Sequence, residues 1–169
     1  MNLINIAEQE EHKLAAPKQA IGIDLGTTNS LVAYVNQEKI EIIQDKNESR
    51  EVKSVISLNE NGEYEAGNEK AQDKIVSVKR LLGKSYDDLD EKLKGYNYQF
   101  ATEGKDNRTI ELALGKGINA VEASAVILKA LLKRAQYKLG NEVNQAVITV
   151  PAYFDDAARH ATIAPAELA

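Results

Sequence analysis

Short apolar runs and polar breaks alternate along the chain, and the spacing of the runs changes character from one end to the other. Residues 20–26 (AIGIDLG) and 30–35 (SLVAYV) read as two strands joined only by Thr27, Thr28 and Asn29, a separation that fits a hairpin. IEII at 40–43 predicts a third antiparallel strand. The polar QDKNESRE then forms a loop, VKSVISL at 52–58 reads as another strand, and Asn61-Gly62 marks a turn. From Asn68 the pattern predicts a helix, because Ile75, Val78, Leu81 and Leu82 recur at helical spacing and Gly83 is a natural stop. A polar, tyrosine-containing stretch at 84–108 precedes a strand-like TIELAL.

Residues 120–139 carry the strongest local signal. Asn119 can cap a helix there, and Glu122, three residues on, completes a capping-box-like start. Val121, Ala125, Leu128, Leu132, Ala135 and Leu139 form one apolar stripe, and Gly140 ends it. VITV at 147–150 is a β-branched run with the pattern of a buried strand. Strands early and a helix-to-strand unit late predict an α/β or α+β chain.

Composition narrows the chemistry. The 169 residues suit one domain, and 21 Lys and Arg against 26 Asp and Glu give a net charge of −5, which argues against nucleic acid or an anionic membrane as the main partner. There is no cysteine, and His12 and His160 are the two histidines, so Cys/His zinc sites, disulfides and an iron–sulfur cluster on this chain's own thiolates are excluded. His160 has no second histidine or cysteine to make it a ligand, and reads as surface or helix packing. No apolar run approaches the ~18 residues of a membrane span. Residues 1–19 form an irregular leader, with Glu8, Glu10 and Glu11 against a transit peptide and no basic-then-apolar signal. A cytoplasmic location is the expectation.

Residues 22–30, GIDLGTTNS, hold the candidate chemistry. The stretch lacks the glycine, lysine and hydroxyl spacing of a P-loop. Its glycines are four apart and it leads into a strand, so it is not a dinucleotide loop either. Gly26 lets the backbone approach a ligand and tolerates positive φ, turn amides can form a nest for phosphate oxygens, and Thr27 and Thr28 add hydroxyls. A lone carboxylate repels phosphate unless a cation lies between them, so Asp24 makes sense as a partner of Mg²⁺, directly or through water. On physical chemistry alone, a plain hairpin turn and a phosphate–metal site both stand. Lys79-Arg80 reads as a solvated helix face, and Pro151 as the end of a strand.

Three blocks carry a resemblance. AIGIDLGTTNSLVAYV is similar to the first phosphate loop of the seventy-kilodalton heat-shock chaperones; SVKRLLGK at 77–84 resembles their lysine-arginine helix, and VITVPAYFDDAARHAT at 147–162 their strand, proline and helix segment. The looser Asp-x-Gly-Thr theme also occurs across actin and the sugar kinases, but the second and third blocks disfavour those. LINI and AAPK in the leader, VKRLLGKS, NYQF at 97–100 and VPAYFDDA resemble the branch of the family specialised for iron–sulfur cluster assembly. The likeness runs from about residue 3 to residue 162.

That resemblance implies an α/β fold: the first lobe of an actin-like (ribonuclease H-like) ATPase spanning residues 20–169, truncated and without a peptide-binding domain. It implies ATP/ADP and Mg²⁺ as ligands. Asp24 then contacts the Mg²⁺ water shell, Gly26, Thr27 and Thr28 cover the phosphates, and Lys79 is the catalytic lysine reaching the γ-phosphate and the attacking water. Pro151 and Arg159 match an interdomain switch. The implied function is an ATP-driven chaperone maturing iron–sulfur proteins, partnered by a J-domain co-chaperone and an iron–sulfur scaffold protein, with this chain alone poorly competent in hydrolysis. A general folding chaperone and a non-enzymatic remnant are the alternatives. Two positions depart from the family pattern. Lys53 stands where the family usually has proline, a change with a local effect. The ending IAPAELA replaces a continuing charged helix, where Pro165 would cost ~3 kcal/mol or more; a frameshift or split gene is the expected origin.

Overall fold

The computed structural model describes residues 19–94, 98–100, 110–152, 154 and 156–169; the leader through residue 18, and parts of the 84–108 segment, lie outside them. Strands β1 (Ile21–Asp24), β2 (Asn29–Asn36), β3 (Lys39–Ile42) and β4 (Val52–Lys53) come first. They are followed by β5 (Val55–Leu58), β6 (Tyr64–Ala66), β7 (Lys74–Val76) and a 3-10 helix at Val78–Leu81. A second 3-10 turn at Tyr86–Asp88 leads to the short helix α1 (Glu91–Lys94). The last part holds β8 (Glu111–Leu112), β9 (Ile118–Asn119), α2 (Ala120–Leu139), β10 (Ala146–Thr149), α3 (Asp156–His160) and α4 (Ile163–Leu168).

The main sheet runs β10-β1-β2-β3, with β4 also paired to β2. β1 is parallel to β10, in a register that sets Asp24 opposite Thr149, and antiparallel to β2. A second sheet, β6-β5-β7, is antiparallel throughout. The run predicted as one strand at 52–58 is therefore two: β4 belongs to the first sheet, β5 to the second, and the chain changes sheets at Ser54. Lys53 sits opposite Asn29 in β4 with its amine 3.7 Å from Glu69.

Helix α2 organises the core. Asn119 accepts from the Glu122 amide while the Glu122 carboxylate accepts from the Asn119 amide, the reciprocal cap that the sequence predicts, and Gly140 closes the helix in the left-handed region at φ 69°. Its fully buried line is Ala123, Ser124, Ile127, Leu128, Leu131 and Ala135, and the apolar members pack in one cluster with Ile21, Val32, Ile43, Ile56 and Leu81. The stripe is thus rotated from the predicted one. Ala125, Leu128 and Ala135 are buried as predicted, whereas Val121, Leu132 and Leu139 lie only half-buried at its rim.

Other expectations are corrected. The helix predicted from Asn68 is a loop, then strand β7 on the edge of β5, then a single 3-10 turn. The β-branched Ile75 and Val76 find an open strand edge there, and that pairing outweighs the weak helical spacing around them. β10 is not buried: it ends the sheet, with Val147 68% exposed. Along with Val147, the register puts Val35, Ile40 and Ile42 on the sheet face away from α2, and all three are exposed as well. Pro165 does not break a long helix. The chain turns after α3, and Pro165 is the third residue of α4, where no intrahelical N–H bond is due.

No helix of the described residues is long and apolar enough to cross a membrane. Because Ile127 is fully buried and Leu132 is not, Ile127→Ala should cost ~2–5 kcal/mol in denaturant unfolding and Leu132→Ala clearly less. Equal losses would contradict the observed helix orientation.

Candidate functional site

The turn between β1 and β2 is fixed from beneath by hydroxyls. The Gly26 amide donates to Ser30 Oγ at 3.0 Å, and Ser54 Oγ donates to the Gly26 carbonyl at 2.8 Å. Ser30 Oγ and Ser54 Oγ lie 2.9 Å apart and buried. Since the Ser54 proton is committed to the carbonyl, Ser30 must donate to Ser54. The result is a closed ring of hydrogen bonds through both main-chain groups of Gly26. The Ser54 amide also donates to the Thr28 carbonyl at 2.8 Å. Gly26 is required here for space: a Cβ would run into the Asn29 carbonyl, while its φ is not in the positive range that the sequence reading allowed for. The Thr27 and Thr28 hydroxyls have no hydrogen-bond partner among the described residues, and Thr28 is exposed.

Asp24 ends β1 on the solvent side, where Thr149 Oγ1 donates to its Oδ1 at 2.9 Å. The parallel β1–β10 register makes that contact, across 125 residues. Lys79 comes from the 3-10 helix, and is buried (6% exposed) with its amine donating to the Leu25 carbonyl. Two backbone features aim it. Ser77 takes the left-handed conformation at φ 56°, turning the chain sharply out of β7, an unfavourable choice for a non-glycine residue. Gly83, at φ 72°, lets the end of the turn sit against the α3 backbone, where a Cβ would lie 3.0 Å from the Ala158 Cα. Burial pushes the Lys79 amine below its ordinary 10.5, and the negative charge of Asp24 opposes that shift.

Phe154 connects this cation to the segment after β10. The Lys79 amine lies 5.6 Å from the Phe154 ring centroid, the Phe154 amide donates to the Pro151 carbonyl at 3.1 Å, and Arg159 Nε donates to the Phe154 carbonyl at 3.0 Å. The predicted residues thus fall into one neighbourhood: Asp24, Gly26 and Lys79 directly at the turn, Pro151 and Arg159 one residue removed through Phe154. Tyr153 and Asp155 lie outside the described residues. Sequence reasoning gave no role to Ser54, Thr149 or Phe154. Their partners, the Gly26 carbonyl for Ser54, the Asp24 carboxylate for Thr149 and the Lys79 amine for Phe154, are far off in the chain, so local pattern holds no signal for them.

Among the described residues no three His, Asp or Glu side chains gather to hold a metal. A single exposed carboxylate with one oxygen held by Thr149 does not make a protein cage for a cation. It does suit Mg²⁺ that arrives with phosphate and keeps its waters, since that ion takes one or two carboxylates and relies on phosphate oxygens for the rest. The residues present therefore fit a metal carried by a nucleotide.

A mixed α/β lobe with a carboxylate and a lysine meeting at the first strand turn is that of an actin-like (ribonuclease H-like) ATPase, first lobe. Residues 20–169 match the family described as Hsp70 protein, and the chain belongs to that family. It is 45% identical over 180 residues to a "Chaperone protein HscA homolog" of Histophilus somni (strain 2336), which covers 100% of this chain and 28% of that protein. Those of Mannheimia succiniciproducens and Shewanella oneidensis are each 42% identical, covering 100% and 96% of this chain and 29% and 27% of their own length. The chain spans under a third of these relatives.

Between the lowered folded pKa of Lys79 and the ordinary 10.5, the unfolded chain holds more protons than the folded one, so the Lys79 contribution to stability rises with pH in that window. Thermal unfolding of wild type and Lys79→Met from pH 7 to 10.5 checks this. Wild type should gain on the variant as pH rises, and a constant difference would contradict a desolvated amine.

Proposed function

We propose that the chain provides the phosphate-binding wall of a Mg-nucleotide site in an ATP-dependent Hsp70-type chaperone acting in the maturation of iron–sulfur proteins. The observation that carries the reading is that Asp24, held by Thr149 at the end of β1, directly precedes the turn of residues 25–28, whose Leu25 carbonyl accepts from the buried Lys79 amine. An anion entering between them meets a cation on one side and, on the other, a carboxylate that only a metal ion reconciles with phosphate. The HscA homologues, matched along the whole chain, support the iron–sulfur branch over a general folding chaperone.

In this reading Gly26 keeps the turn low enough for phosphate to approach, and Thr27 and Thr28 offer hydroxyl donors to its oxygens. Asp24 would hold Mg²⁺ through its water shell; when bound, that ion neutralises phosphate charge. Lys79 serves as the cationic partner of the terminal phosphate, stabilising charge on the transferred group. Its burial makes the ammonium costly to leave unpaired, which favours an anion beside it. The contacts of Pro151 and Arg159 with Phe154, beside Lys79, support a switch role in which they report nucleotide state beyond the lobe. A J-domain co-chaperone and an iron–sulfur scaffold protein are the partners of the whole protein. Residues 20–169 form one incomplete nucleotide-binding lobe, spanning under a third of the relatives' length, and alone they hydrolyse ATP poorly.

Calorimetric titration with Mg-ATP tests the reading. Wild type should bind measurably, and Asp24→Asn and Lys79→Met should each weaken binding about tenfold, as loss of a charge-assisted contact does. Binding unaffected by either substitution would place the nucleotide elsewhere.

A further inference from the structure

We infer that Ser54, acting with Ser30, is a positioning residue that decides which way the peptide groups of the phosphate turn face. The inference rests on the nucleotide reading given above. Ser54 reaches the turn twice, donating its hydroxyl to the Gly26 carbonyl and its amide to the Thr28 carbonyl, each at 2.8 Å. Both carbonyls are thereby drawn down into the protein. In a trans peptide the C=O of one residue and the N–H of the next point to opposite sides, and the described chain contains no cis bond. Holding the Gly26 carbonyl inward therefore turns the Thr27 N–H outward, and holding the Thr28 carbonyl inward does the same for the Asn29 N–H. A carbonyl facing the ligand would repel phosphate, whereas an outward N–H attracts it.

Ser30 supplies the other half. It accepts from the Gly26 amide and donates to Ser54, so the ring has a single consistent proton order and no spare donor. Ser30 and Ser54 are 1% and 2% exposed, so water cannot readily replace either hydroxyl. A plain structural hairpin needs none of this, because its turn carbonyls can face solvent at no cost. The break between β4 and β5 falls at Ser54 itself, which frees its side chain from the pattern of either sheet and points it at the turn.

The test compares wild type, Ser54→Ala and Ser54→Thr in the full 169-residue chain. Three readouts apply: Mg-ATP affinity by calorimetry, amide hydrogen exchange at Gly26, and thermal unfolding. Ser54→Ala should weaken Mg-ATP binding about fivefold and speed exchange at Gly26, the size expected for one buried hydrogen bond. Ser54→Thr, which keeps the hydroxyl, should restore both to within about twofold of wild type. If wild type binds Mg-ATP and Ser54→Ala binds it equally well, the positioning role is wrong while the nucleotide reading stands. If Ser54→Thr is as weak as Ser54→Ala although both unfold like wild type, the hydroxyl is not what matters and the role is also wrong. If wild type itself shows no binding, the nucleotide reading fails and this role fails with it.

Discussion

Burial of one face of α2 is the constraint on which the rest of this lobe depends. The helix contributes Ile127, Leu128, Leu131 and Ala135 to the single cluster that also contains Ile21 and Val32 of the main sheet, Ile56 of the second sheet and Leu81 of the 3-10 turn. The two sheets share no strand, and the chain steps between them at Ser54. What fixes their relative placement is a common apolar surface. Asp24 belongs to the first sheet and Lys79 to the element that follows the second, so their approach at the turn is a consequence of α2 packing against both.

Several costs are concentrated where the turn lies. An ammonium is buried against a carbonyl and an aromatic ring, Ser77 is held in a left-handed conformation, and two serine hydroxyls are spent on one glycine. The buried ammonium and the left-handed Ser77 each cost stability that an ordinary hairpin would not incur, and strained or desolvated groups persist only where the surroundings over-determine them. The ammonium and the serine ring meet the same turn, at Leu25 and Gly26. A phosphate-bearing ligand is the economical explanation, because it would pair the Lys79 charge and use the outward amides together. The exposed apolar face carrying Val35, Ile40, Ile42 and Val147 is of a different kind. The register places Asp24 and Thr149 on that same face of the sheet, so the metal side of the site borders it.

Much of this was legible in the chain. The β1–β2 hairpin shows in the two short runs around Thr27 and Thr28, and the α2 cap shows in Asn119 and Glu122, because both depend on residues within a few positions of each other. The segment at 68–82 misleads for the opposite reason: Ile75 and Val78 fit helical spacing, yet the open edge of β5 claims the first, and Ser77 breaks the run before the second. Lys79 could be singled out by resemblance alone, since nothing local distinguishes it from a solvated lysine. Its burial arises from contacts 54 residues distant in sequence. Ser54 sits in what reads as an unbroken strand, and only the change of sheet reveals it.

The central claim is that Asp24 reads a phosphate-bound Mg²⁺ while Lys79 reads the phosphate itself. The most direct measurement is ATP affinity of wild type, Asp24→Asn and Lys79→Met, each determined with Mg²⁺ and again with the ion chelated. Wild type should bind more tightly with Mg²⁺ than without it, Asp24→Asn should lose that dependence, and Lys79→Met should weaken binding while keeping it. Full Mg²⁺ dependence in Asp24→Asn would contradict the account.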